Sequence, residues 1–168
     1  MTKLFKLTLL LTLVSLMSCG KSDNAAIPLA QELTRDAIGY YCMMTVVEHQ
    51  GPKGQIILRD KQEPLWFTSV RDTLTFTVLP GEPKNIAAIY VTDIGKANWD
   101  NPEPGTWVDA HNAWFVIGSD ASGGMGAPEL VPFGVKDDAL VFASEHGGKV
   151  YDFPSIPPEV FLGEAGEK

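Results

Sequence analysis

The sequence predicts an α+β domain built from two pseudo-repeated ββαβ units that share one core. Three observations carry this expectation. Short runs rich in aromatic and β-branched residues alternate with two stretches of helical periodicity. The order strand–strand–helix–strand occurs twice along the chain. An offset of 66 residues aligns Phe67 with Phe133, Asp72 with Asp138, Leu74 with Leu140, Phe76 with Phe142 and Gly81 with Gly147. A unit of that size buries little surface alone, so two would pack together.

Residues 31–38 form a polar lead-in. Residues 40–48 contain Tyr40, Tyr41, Thr45, Val46 and Val47, a strand composition. Gln50-Gly51-Pro52-Lys53-Gly54 is a turn, and residues 55–59 complete a hairpin. In residues 68–79, Val70, Leu74 and Val78 recur at helical spacing with Phe76 beside them, and Pro80-Gly81 stops the helix. Residues 86–92 are a strand. Residues 95–105, rich in Asn, Pro and Gly, are a loop. Strands over 113–117 and 129–133 follow, separated by the loop 119–128. A helix over 136–145 ends at His146-Gly147-Gly148, and 149–153 is the last strand. The Pro/Gly/Glu-rich end of the chain reads as frayed.

The chain has 168 residues and a formal charge of −8. Its first 18 residues have Lys3 and Lys6 ahead of a short apolar run that ends in small residues, the form of a secretory leader. Without the leader, 11 basic side chains face 21 acidic ones, a net −10. That balance argues against nucleic acid and against electrostatic binding to anionic lipid. Leu16-Met17-Ser18-Cys19 resembles a lipobox, so Cys19 is expected to carry the lipid and anchor the chain to a membrane. Gly20 is not the aspartate that commonly retains such proteins in the inner membrane. This points to the outer membrane, with the domain in the periplasm.

With Cys19 lipidated, Cys42 is left without a disulfide partner. It could be a buried structural cysteine, a nucleophile or a metal ligand. Read as a strand, residues 40–48 put Cys42 and Met44 on one face and Met43 on the other. Thiolate and thioether form a soft pair that suits Cu(I) rather than Mg²⁺ or Ca²⁺. Beyond the leader the methionines are Met43, Met44 and Met125. Met125 lies among small residues in a Gly-rich loop, poorly placed for a core. It is a candidate third sulfur ligand, or a loop residue folded back on the domain. His49, His111 and His146 are each more often structural than ligating; His49 or His111 is the candidate to complete a site.

A thiol enzyme of organometal-lyase or hydrolase type would need a base beside Cys42. A thiol oxidoreductase is disfavoured, since there is no Cys-x-x-Cys. The region of Trp99, Trp107 and Trp114 could instead contact a protein partner.

The chain resembles the NosL family of copper-binding lipoproteins associated with nitrous oxide reductase maturation. The resemblance rests on the lipobox, on Ile38-Gly39-Tyr40-Tyr41-Cys42-Met43-Met44, on Ile89-Tyr90-Val91-Thr92-Asp93 and on Trp107-Val108-Asp109-Ala110. It extends through Ala113-Trp114-Phe115-Val116-Ile117-Gly118-Ser119, Gly124-Met125-Gly126 and His146-Gly147-Gly148-Lys149-Val150. It implies a periplasmic chaperone that delivers Cu(I) to the copper centres of nitrous oxide reductase, working beside the NosDFY ABC transporter complex. It also implies two ββαβ units similar to a domain of organomercurial lyase. The family's Cys-x-Met pair falls on Cys42 and Met44, and its loop methionine on Met125. The expected plan is leader 1–18, lipidated Cys19 and tether 19–35, copper-binding domain 36–155 with units of about 38–93 and 107–155, and flexible acidic tail 156–168. A copper-bridged homodimer is compatible with an exposed thiolate.

Overall fold

A computed structural model describes residues 26–161. The expected leader 1–18, Cys19 and residues 162–168 of the expected tail lie outside the described residues.

Two antiparallel sheets are each crossed by a helix. The first holds β1 (Gly54–Leu58), β2 (Leu65–Phe67), β3 (Ile86–Thr92) and β4 (Trp107–Asp109) in the order β2-β1-β3-β4, with α1 (Val70–Val78) between β2 and β3. The second holds β5 (Trp114–Ile117), β6 (Val131–Phe133) and β7 (Lys149–Asp152) in the order β6-β5-β7, with α2 (Lys136–His146) between β6 and β7. Among the described residues no helix is long and apolar enough to cross a membrane.

Each helix starts and stops for a local reason. Ser69 caps α1, its hydroxyl accepting from the Asp72 backbone N–H at 3.1 Å. At the other end the Lys84 ammonium donates to the carbonyls of Thr77 and Leu79 at 2.9 and 2.6 Å. Asp137 and Asp138 complement the dipole in the first turn of α2. Gly147 ends that helix at φ +76°, a backbone that favours glycine.

The two sheets share a core. Ile56, Phe67, Leu74, Phe76, Ile89 and Val91 from the first pack with Phe115 and Leu130 from the second. Strand alternation sends the next residue, Val116, to the other face, where it meets Val131, Phe133 and Ala139 beneath α2. Asp93 ties the two together, its carboxylate Oδ1 accepting from Gly134 N–H at 2.8 Å.

The expected strand 40–48 does not form, and neither does its hairpin with 55–59. Ile38 and Thr45 make an isolated antiparallel bridge, the residues between them turn, and Val46–Glu48 is a 3₁₀ turn. Residues 65–67 take the missing strand's place, so the first ββαβ set begins at Gly54. Composition favoured a strand, but packing of the tyrosines on the first unit overrides that preference.

The expected tether and tail are partly held on the domain. Gln31 N–H donates to the Gln55 side-chain carbonyl, the Gln55 side-chain amide donates back to Gln31 O, both at 2.9 Å, and Tyr90 Oη donates to Pro28 O at 2.8 Å. Residues 28–31 therefore lie along the first sheet. At the other end, Ile156 and Val160 are buried in the shared core. Arg71 Nη1 and Thr75 Oγ1 donate to the carbonyls of Val160 and Phe161 at 3.0 and 2.9 Å. Two apolar anchors outweigh the Pro/Glu composition there.

Candidate metal centre

Cys42 sits in a tight turn stitched shut by its backbone. Gly39 N–H donates to Met44 O and Met43 N–H to Gly39 O, both at 2.9 Å. Tyr40 N–H donates to Trp66 O at 2.7 Å, which fastens the turn to β2. Met43 occupies the left-handed region at φ +56° and is 74% exposed. The Cys42 thiol folds back across the turn: a Cβ on Gly39 would lie 2.5 Å from its sulfur. Thr68 Oγ1 donates to that sulfur at 3.7 Å.

The sulfur side of this turn faces a cavity of about 220 Å³ lined by Tyr41, Cys42, Arg71, Met125 and Glu129 among others. Three distant segments build it: the Cys42 turn, the N-terminal end of α1 and the loop before β6. Met125 sits at the tip of a tight loop closed by Gly123 N–H to Ala127 O at 2.9 Å and Gly126 N–H to Gly123 O at 2.8 Å. The loop needs its small residues. A Cβ on Gly124 would come within 2.8 Å of Gln50, and one on Gly123 would lie 2.6 Å from Glu129 Oε2.

Cys42 and Met125 are thus brought to one cavity from 83 positions apart. Met44 does not line it; its side chain is partly exposed beside the turn. The strand alternation that put Cys42 and Met44 on one face does not operate, because residues 40–44 are not a strand. Neither candidate histidine lines the cavity. His49 lines a separate one with Lys53 and Glu103. His111 Nδ1 pairs with Asp109 at 3.1 Å and its ring packs on Phe153. His146 pairs with Asp120 at 3.0 Å at the end of α2. Among the described residues no three His, Cys, Asp or Glu side chains gather as a metal-binding group. The cavity brings together two sulfur-bearing side chains, Cys42 and Met125, with the carboxylates of Asp72 and Glu129.

Glu129 was invisible as a site residue in the sequence. It is 2% exposed; its Oε1 accepts from the backbone N–H groups of Arg71 and Leu130 at 3.2 and 2.9 Å, and its Oε2 has no partner. Burial pushes its carboxyl up to about 7 against those two hydrogen bonds. Lys53, also buried, donates to the carbonyls of Gln50 and Gly51 at 2.9 and 2.7 Å. Burial brings its ammonium down to about 8, and the Glu129 charge pulls the other way. The one sequence signal for Glu129 is an acidic residue inside Pro128-Glu129-Leu130-Val131-Pro132-Phe133.

Comparison with known proteins gives a consistent result. A family model described as NosL matches residues 30–161. A copper-binding lipoprotein NosL of Achromobacter cycloclastes is 40% identical over 151 residues, covering 89% of this chain and 78% of the relative. Another of the same description from Stutzerimonas stutzeri is 32% identical over 161 residues, covering 94% and 83%. The crystal structure of the copper chaperone NosL from Shewanella denitrificans superposes with a TM-score of 0.73 at 32% identity, covering 77% of this chain and 96% of that one. The solution structure of apo-NosL from Achromobacter cycloclastes gives 0.50 at 40% identity, covering 65% and 88%.

Proposed function

This chain belongs to the NosL family, and on that premise we propose that it is a copper chaperone whose cargo, Cu(I), is held by Cys42, Met44 and Met125. The observation that carries the reading is the convergence of Cys42 and Met125 on one cavity from segments 83 positions apart. Thiolate and thioether donors suit Cu(I). The thiol gives up its proton to the solution as the copper–sulfur bond forms. Met125, half exposed at a loop tip, offers a weak ligand that an incoming donor can displace. Met44 stands two residues from Cys42, and its flexible thioether is the third proposed donor. The chain binds and hands on; it is not an enzyme, as its relatives' descriptions as a copper-binding lipoprotein and a copper chaperone support.

The cargo is destined for the copper centres of nitrous oxide reductase, with the NosDFY transporter complex as the neighbour at the membrane. The resemblance in sequence supports both. Cys19 carries the lipid that holds the domain in the periplasm, on the outer membrane. The two ββαβ units are read as a repeat. Their strand orders correspond, Phe67 and Phe133 both end the strand before a helix, and Asp72 and Asp138 are both third residues of that helix. The likeness to a domain of organomercurial lyase rests on the same two units.

Anaerobic Cu(I) titration against a chromophoric chelator tests the reading. Near one copper per chain is expected, lost in Cys42→Ala and weakened in Met44→Ala and Met125→Ala. Wild-type affinity retained in Cys42→Ala would sink the site.

A further inference from the structure

Beside the metal cavity, two adjacent tyrosines converge on one carboxylate. Tyr40 Oη donates to Glu82 Oε2 at 3.1 Å, and Tyr41 Oη donates to Glu82 Oε1 at 2.9 Å. Neighbouring side chains on an extended chain point to opposite faces. Both hydroxyls reach one acceptor because the backbone here turns. The rings are fixed as well: Tyr40 lies 5.8 Å from Phe67 and 5.5 Å from Phe76, and Tyr41 lies 5.6 Å from Phe67. The acceptor is anchored in its turn. Glu82 N–H donates to Leu79 O at 3.3 Å, just beyond the end of α1 that Lys84 caps.

Helix α1 therefore holds the site at both ends. Its first turn lines the cavity through Arg71 and Asp72. The segment after its last turn holds the tyrosines that immediately precede Cys42. We propose that Glu82 is a positioning residue, which by accepting from Tyr40 and Tyr41 together locks the turn that presents the Cys42 thiol and so governs how fast the thiol exchanges what it holds. The turn contains a non-glycine residue in the left-handed region, Met43, which an unclamped chain would tend to leave. With the clamp open, Tyr40 and Tyr41 are free to diverge, and the thiol leaves its place over Gly39. The exchange of copper rests on the function proposed above; the position of the thiol does not.

The test uses the full chain in detergent, with two rates and one control. The first rate is metal-free labelling of Cys42 by a thiol reagent, located by peptide mapping. The second is loss of Cu(I) to a chelator. The control is the thermal midpoint. In Glu82→Ala both rates are expected to rise on the order of tenfold with the midpoint unchanged, tenfold being about 1.4 kcal/mol. The double change Tyr40→Phe with Tyr41→Phe is expected to do the same, with no further rise when combined with Glu82→Ala. Glu82→Gln, which keeps a carbonyl acceptor, is expected to recover part of the effect. Unchanged rates in Glu82→Ala, or effects that simply add, would overturn the clamp. If Cys42→Ala abolishes copper binding while Glu82→Ala moves neither rate, the copper reading stands and the clamp falls. If the wild type takes up no copper but labelling accelerates in Glu82→Ala, the clamp stands and the copper reading falls.

Discussion

Replacing Glu129 by Gln should stabilise the fold, and only above acid pH. The Glu129 carboxyl is 2% exposed and burial raises it from 4.5 to about 7. Between those values the folded chain keeps a proton that the unfolded chain gives up. Stability from this group is therefore fully present below pH 4.5, falls as pH rises, and levels off above about 7. At 1.36 kcal/mol per pH unit, the cost of holding the charge is below about 1 kcal/mol at pH 5 and about 3 kcal/mol at pH 8. Gln keeps a carbonyl to accept from Arg71 and Leu130, and it carries no charge. Glu129→Gln is thus expected to match the wild type at pH 5 to within about 1 kcal/mol and to exceed it by about 2–3 kcal/mol at pH 8. The lower figure allows for the lost attraction to Lys53. Urea unfolding followed by tryptophan fluorescence at both pH values measures this. A difference that does not change with pH, or a variant less stable than wild type at pH 8, would refute the reasoning.

Two further substitutions probe the turn and the core. Gly39→Ala places a methyl group 2.5 Å from the Cys42 sulfur, which must then swing away. Cu(I) affinity measured against a chelator should fall about tenfold or more, roughly 1.4 kcal/mol, while the fold persists. Phe115→Ala empties a fully buried position where the two sheets meet, at an expected cost of about 3–5 kcal/mol in chemical denaturation. A loss below about 1 kcal/mol would mean the sheets do not depend on that contact.

What could be read from the sequence depended on the range of the forces involved. Helix α1 was legible because the spacing of Val70, Leu74 and Val78 and the Pro80-Gly81 stop act within one segment. Strand β3 was legible for the same reason, as seven residues of strand composition. Strands β2 and β4 have three residues each, too few for a period to show. The stretch 40–48 misled because its aromatic content is a strand signal. Those rings pack instead on Phe67 and Phe76 and hydrogen-bond to Glu82, partners 26 to 42 positions away. In the site, Cys42 and Met125 stood out by type and scarcity. Met44 stood out through an alternation that the turn does not have. Glu129 became a site residue only through burial by segments far along the chain.

Cys42 and Met125 being legible while their supports were not has a physical basis. A soft ligand is defined by its own atoms, so sulfur chemistry can be inferred from residue type alone. A soft donor's usefulness for exchange would depend on how firmly it is held, and Cys42 and Met125 are held here by residues with no affinity for copper. Gly39 leaves room for the thiol, and Gly123 and Gly124 let the Met125 loop close on Glu129 and Gln50. Thr68 donates to the sulfur from the residue after β2. The two proposed ligands ride on separate segments, a turn fastened to the first sheet and a loop leading into the second. Any motion between the sheets changes their separation. Asp93, which joins the sheets through Gly134, therefore bears on the separation of Cys42 and Met125 without touching either sulfur.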